Sequence, residues 1–179
     1  MSQISADKNF AILEAEAQHI PLLRDLSAQT FREAYQNDAD GANMDLYIKD
    51  TFTIANIEAD FYNPETKYLL AQSGNNWAAY ALLRWDHTHE TVAGTKALRL
   101  HRIYVVQAFW RHKIGSRLMA YIIDFARQQG YAYLWLVVWN ENAKAIQFYQ
   151  RWGFEHVGYQ EFHFGNEVTN DWVMRKEIS

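Results

Sequence analysis

Six consecutive residues, Tyr133 to Val138, are apolar. A short, near-continuous apolar run is what a β-strand covered on both faces looks like. The rest of the chain must therefore supply a covering for each face, and the flanks begin to do so. Before the run, Ile114, Leu118, Ile122 and Phe125 form an apolar stripe at helical spacing, and Gly130 stands where a helix end favours a left-handed residue. After it, Ala145, Phe148, Tyr149 and Trp152 make a short helix that stops at Gly153.

The first half extends the same sheet. Phe10 to Leu13 reads as a strand, and Leu23, Leu26, Thr30, Phe31 and Ala34 recur at helical spacing behind Pro21. Asn43 to Tyr62 reads as one or two helices closing at Asn63-Pro64. Tyr68 to Ala71 and Ala78 to Leu83 flank the turn Ser73-Gly74-Asn75-Asn76. Leu98 to Val106 is a further strand, with Leu98, Leu100, Arg102 and Tyr104 expected on one face and Arg99, His101, Ile103 and Val105 on the other. Val157 to Phe164 and Trp172 to Lys176 close the chain as strands around a polar loop, Gly165 to Asp171. The order β-α-α-β-β-β-α-β-α-β-β predicts an α/β fold with a mixed sheet and helices on it. No repeat or linker divides residues 1–179, so one domain is expected.

Composition removes several chemistries. The 179 residues include no Cys, which excludes disulfides, zinc-thiolate sites and a cysteine nucleophile. A net charge of −4 argues against a broad nucleic-acid or anionic-membrane surface, so an anionic ligand must be held by local groups, while a cationic substrate would be attracted. Met1 to Phe10 carries no basic-then-apolar leader, and no stretch approaches the roughly 20 apolar residues of a membrane span. A cytoplasmic protein is the expectation.

Two junctions carry residues suited to chemistry. The first follows the strand ending at Val106. There Arg111, His112, Lys113 and Arg117 concentrate positive charge around the helix start Ile114-Gly115-Ser116. A helix start offers unpaired N–H groups and partial positive charge, a natural seat for a diphosphate, and Gly115 allows close approach. The same residues also suit a solvated basic turn before an amphipathic helix. At the second junction Asn142 is a good N-cap, and the adjacent Phe148 and Tyr149 point in different directions, so one can pack while the other reaches a cleft. A plain cap and a plain core tyrosine would read identically.

The pattern Asn142-x-x-Ala145-x-x-Phe148-Tyr149-x-x-x-Gly153-Phe154 resembles a signature of the GNAT superfamily of N-acetyltransferases, six positions agreeing over thirteen residues. The first junction is similar to that family's acyl-CoA loop, Gln/Arg-x-x-Gly-x-Gly/Ala, laid over Trp110 to Gly115. Trp110 stands for the Gln/Arg and Lys113 for the first Gly, while Gly115 is kept. Within the superfamily, Phe109 to Gly115, Val138 to Tyr149 and Gly165 to Met174 look most like the bacterial PaiA-type polyamine acetyltransferases.

The resemblance implies a mostly antiparallel sheet with one splayed parallel strand pair and helices on both faces. Acetyl-CoA would be the co-substrate, with no metal. Backbone groups of Ile103, Tyr104 and Val105 would pair with the pantetheine arm. Amides of Arg111, His112, Lys113, Ile114, Gly115 and Ser116 would cradle the diphosphate. Asn142 would contact the cofactor, and Tyr149 would face the thioester sulfur. Relatives in the branch tend to carry a Glu where this chain has His101, which makes His101 the candidate base, although a packed strand histidine reads the same way; Glu141, Glu161 and His163 are further candidates without motif support. The expected reaction is direct acetyl transfer to a primary amine, a polyamine-like small molecule being favoured. The alternatives are a protein N-terminal or lysine acetyltransferase, and a catalytically weak CoA-binding regulatory module. Acceptor choice would lie with Phe31 to Tyr62 and Gly165 to Asp171, and the strand-rich C-terminus leaves a homodimer open.

Overall fold

The computed structural model describes residues 9–37, 40–164 and 167–178. Met1 to Lys8 of the chain start, and Gly165 and Asn166 of the polar loop, lie outside the described residues. In chain order the elements are β1 (Phe10–Glu14), α1 (Ile20–Tyr35), α2 (Gly41–Thr51), α3 (Ile54–Tyr62), β2 (Thr66–Ser73), β3 (Asn76–Arg84), β4 (Ala97–Val105), α4 (Ile114–Gln128), β5 (Tyr133–Val138), α5 (Ala143–Arg151), β6 (Glu155–Phe164) and β7 (Glu167–Glu177). The seven strands form one sheet in the order β1-β2-β3-β4-β5-β7-β6. Every pairing is antiparallel except β4 with β5.

The apolar run becomes a doubly covered strand. On one face of β5, Leu134 and Leu136 join Leu118, Met119 and Ile122 of α4 and Ile146 of α5. On the other face Trp135 packs with Val92 and Val173. The far side of β3 and β4 is covered by α1 and α3, where Leu23, Leu26 and Ile57 meet Tyr80 and Leu82. Each fully buried aliphatic side chain of this kind contributes about 1.5–3 kcal/mol.

Two caps divide the early helical segment. Asp40 accepts the N–H groups of Ala42 and Asn43, both at 3.0 Å, and starts α2. Thr53 accepts from Asn56 N–H at 3.1 Å and starts α3. Phe52 between them leaves the helical region with ψ 55°. The segment is thus two helices.

Two expectations change. The strict alternation along β4 fails: the pairing with β3 skips a residue, Leu83 facing Leu100 and Leu82 facing Arg102, so His101 is an extra, bulged residue. A bulge exchanges the faces beyond it. Leu98 and Leu100 therefore share a cluster with Ile103 and Val105, while Tyr104 joins Tyr80 on the opposite side. The closing strands are also longer than the apolar residues alone indicate. Glu167 to Asp171 belongs to β7, paired with β6 from Phe164↔Glu167 to Gln160↔Asp171, and is not loop.

Candidate active site

The parallel pair β4–β5 holds together for only three residue pairs, ending at Arg99↔Trp135. Beyond that point β4 stays with β3 as far as Val105, and β5 stays with β7 as far as Val138. The bulge at His101 sits at the point of separation and bends β4 away. The result is a cleft of about 890 Å³ between the two strands, lined also by α1, α2, the start of α4, α5 and β6–β7.

Backbone direction on the open side of β4 follows from one bond. Val106 N–H donates to the Ala78 carbonyl of the β3 side at 2.9 Å. By the two-residue alternation of an antiparallel ladder, Tyr104 also faces β3, whereas Ile103 and Val105 turn their peptide groups into the cleft. The Tyr104 backbone is thus committed to the sheet, and its ring stacks on Tyr80 at 5.9 Å. The Val105 carbonyl already has a partner: the Trp110 indole N–H donates to it at 2.9 Å.

The turn into α4 has an unusual backbone. Arg111 and Lys113 have φ of 72° and 59°, the left-handed region, and they are the only non-glycine residues to do so among the described residues. Lys113 is the helix N-cap in that conformation, without a side-chain cap bond. The position where the resembled loop carries glycine therefore does need a left-handed residue, and lysine adopts it at a cost. Ile114, Gly115 and Ser116 follow in the first helical turn, whose N–H groups have no partner within the helix. Arg111, Lys113, Ile114, Gly115 and Ser116 line the cleft. His112 does not: its N–H donates to the Phe109 carbonyl at 3.2 Å, and its ring packs edge-on against Phe109. Arg117 lies over the Phe10 ring, 3.6 Å from the centroid, so its charge is directed elsewhere.

From α5 come Asn142 and Tyr149. Asn142 Oδ1 accepts Ala145 N–H at 3.1 Å, which caps the helix. Phe148 and Tyr149 both reach the cleft, in edge-on contact at 5.5 Å, and Tyr149 leans on Phe154 at 5.7 Å. Burial, reinforced by the neighbouring Tyr35, raises the Tyr149 hydroxyl above the ordinary phenol range. It therefore stays protonated and able to donate.

His101 lines the cleft, and its Nδ1 is buried without a hydrogen-bond partner. Burial, then the charges of Arg102, Arg99 and Arg84, pushes its pKa well below 6.5. The imidazole is neutral at physiological pH, but its protonated form is disfavoured by everything around it. Glu141 reaches the cleft from the exposed start of the α5 turn. Glu161 and His163 alternate outward along β6, while Gln160, Phe162 and Phe164 face in. Phe31, Tyr35, Tyr47 and Phe52 bring the early helical region to the same space.

Two contributors fall within the segments expected to choose the acceptor but were not singled out by the sequence. Tyr35 lines the cleft, where burial raises its pKa and the field of Asp171 adds to the rise. Asp171 itself is a cleft-lining carboxylate, 4 % exposed, that accepts a hydrogen bond from Thr169 Oγ1 at 2.7 Å. Extending the β7 alternation backward from Val173 through Asp171 to Thr169 would have found it. Among the described residues no group of three or more His, Cys, Asp or Glu is arranged to hold a metal, and no helix is long and apolar enough to cross a membrane.

Residues 22–154 match the model of the Acetyltransferase (GNAT) family. An uncharacterised N-acetyltransferase of Lactobacillus delbrueckii subsp. lactis is 21% identical over 167 residues, covering 93% of this chain and 96% of its own. The streptothricin acetyltransferase of Streptomyces lavendulae is 41% identical over 66 residues, which are 37% of this chain and 35% of that protein. Among solved structures, the PaiA N-acetyltransferase of Thermoplasma acidophilum in complex with coenzyme A superposes with a TM-score of 0.73 at 16% identity, over 94% of this chain and 98% of that one. At that identity the likeness establishes the fold.

Proposed function

The chain belongs to the acetyltransferase (GNAT) family, and from that premise we propose that its cleft transfers acetyl from acetyl-CoA directly to the primary amine of a small, polyamine-like molecule. As a member of the family it is an acyltransferase using acetyl-CoA. The finer reading, the acceptor and the residues in charge of it, rests on the cleft.

The residues suit the co-substrate. The peptide groups of Ile103 and Val105 face an open slot where a pantetheine arm can add as a strand would, though the Val105 carbonyl must first exchange its Trp110 partner. The first turn of α4, with Arg111 and Lys113 at its mouth, suits the diphosphate. The thioester supplies the activated acyl group. The Ile103 and Val105 N–H groups are directed where an oxyanion would form. The Tyr149 hydroxyl, kept protonated by burial, gives its proton to the departing sulfur. No covalent acyl-enzyme is needed, in keeping with a chain that has no Cys.

The observation that carries the reading is this convergence: a protonated Tyr149 lines the same slot into which β4, freed from β5, turns the peptide groups of Ile103 and Val105. A module that merely binds CoA has no use for a hydroxyl at that point. A small amine suits the ring-lined interior, and Asp171, Glu167 and Glu141 give it cation-attracting groups. The test is free-thiol release from acetyl-CoA with a panel of diamines, polyamines, amino sugars and short peptides, with mass-spectrometric identification of the product. Turnover with the small amines is expected. Turnover confined to peptides would move the acceptor to protein N-termini or lysines, and none at all would favour the binding module.

A further inference from the structure

Asp171 is an uneconomical residue to bury. It is 4 % exposed, the only acidic side chain in the buried class among the described residues. Its recorded partner is the neutral Thr169 hydroxyl, and it enters no ion pair among the described residues. A carboxylate withdrawn from water without a cation is costly, and that cost is recovered when a cation arrives. Burial accordingly raises its pKa. The titratable groups sharing its cleft are Tyr35 from α1, Tyr47 from α2, Arg99, His101, Arg102 and Tyr104 from β4, Arg111 and Lys113 before α4, Glu141, Lys144, Tyr149 and Arg151 at and along α5, and Glu167 from β7. None of the cations among them pairs with it. Arg102 does not serve as its cation, being engaged by Asp60 at 3.7 Å and stacked over Phe52 at 5.1 Å.

The same cleft carries an aromatic cluster. Phe31 stacks on Tyr47 at 4.7 Å, and Tyr47 meets Phe162 at 5.7 Å and Phe164 at 5.5 Å. All four line the cleft with Asp171. Rings attract an ammonium through their faces and accept methylene groups equally well. A wall of rings with one buried, cationless carboxylate is therefore suited to a primary ammonium on an alkyl chain.

We propose that Asp171 receives the acceptor's ammonium group and takes its proton during acetyl transfer. This deepens the proposed function and rests on it. Two protons must leave the ammonium nitrogen. Asp171 takes the first, which frees the lone pair for attack on the thioester carbon. As the C–N bond forms and the C–S bond breaks, Tyr149 gives a proton to sulfur, and the second nitrogen proton replaces it. One proton leaves the protein, by way of Asp171, for each acetyl moved. His101, hemmed in by arginines, is left to shape the β4 bulge.

The test uses Asp171→Asn, which keeps the shape and the acceptor for Thr169. Calorimetric titration of 1,4-diaminobutane into the CoA-saturated protein should show at least tenfold weaker binding in the variant, with CoA affinity unchanged. Thermal unfolding should show the variant at least as stable as the wild type, because a buried charge has gone. Where acetylation is measured, kcat/KM of the variant should climb about tenfold per pH unit toward the amine's own pKa, with Asp171→Glu restoring part of the wild-type profile. Equal diamine affinity in the two proteins, or no binding of it by the wild type, would overturn the assignment. Diamine binding that needs Asp171 in a protein that releases no thiol would uphold the ammonium site and refute the acyl-transfer reading.

Discussion

Gly115 separates fold stability from cofactor binding. A Cβ built there would lie 3.4 Å from Val105 Cγ2 and 3.9 Å from Phe148 Cζ, ordinary contacts with two cleft-lining side chains. Gly115→Ala therefore fits, and it removes a glycine from a helix, a gain of about 0.5–1 kcal/mol, or roughly 1–4 °C in Tm for a chain of this size. Gly115→Val behaves differently. Its methyls reach about 1.5 Å beyond Cβ, which drives at least one toward Val105 or Phe148, or into the slot between β4 and α5. The slot is where the cofactor arm must turn toward the first turn of α4. CoA affinity should fall at least tenfold, about 1.4 kcal/mol, while the helix, anchored by buried Ile114 and Leu118, stays folded. Calorimetric titration with CoA, paired with thermal melts, reads both quantities. A folded Gly115→Val protein with wild-type CoA affinity would refute this location for the diphosphate and arm.

Other changes probe the remaining parts. Tyr149→Phe keeps the ring against Phe148 and Phe154, so kcat should drop by about 10²- to 10⁴-fold with CoA affinity little altered; a wild-type kcat would remove Tyr149 from the chemistry. Lys113→Gly relieves a left-handed residue, φ 59°, and should raise stability by up to about 1 kcal/mol in a thermal melt, whereas an unchanged or lower Tm would show that the turn carries no strain. His101 has a folded-state pKa below its unfolded one, so the wild type should lose stability as pH falls below 6.5, and His101→Gln should flatten that part of the pH–stability curve; identical curves would contradict its burial as a neutral ring.

The elements with a strong period were legible from residues alone. The doubly covered strand β5, the amphipathic α4 and the capped α5 emerged from apolar spacing, Asn142 and the glycines at 130 and 153, both at positive φ in the structure. The bulge at His101 was not legible, because one inserted residue in a strand whose two faces are both largely buried leaves no break in hydropathy, yet it reassigns Arg102, Ile103, Tyr104 and Val105. Lys113 looked like a lost glycine, and only its backbone shows that the turn kept the glycine's conformation. Asp171 was hidden by its company. In Val168-Thr169-Asn170-Asp171 the polar residues read as loop, while the pairing with β6 half-buries Thr169 and buries Asp171. Site chemistry carried by polar residues on a strand has no periodic apolar signal to announce it.

The most direct measurement of acetyl transfer counts two products at once. Purified protein is mixed with acetyl-CoA, with and without 1,4-diaminobutane, and free thiol and N-acetyl amine are followed together. The chain contributes no thiol background, having no Cys. Direct transfer predicts thiol and N-acetyl product appearing one for one, only when amine is present, with no early burst of thiol. A burst without amine would reveal an acyl-enzyme and contradict direct attack, and no thiol above the blank with any amine would contradict the acyltransferase assignment itself.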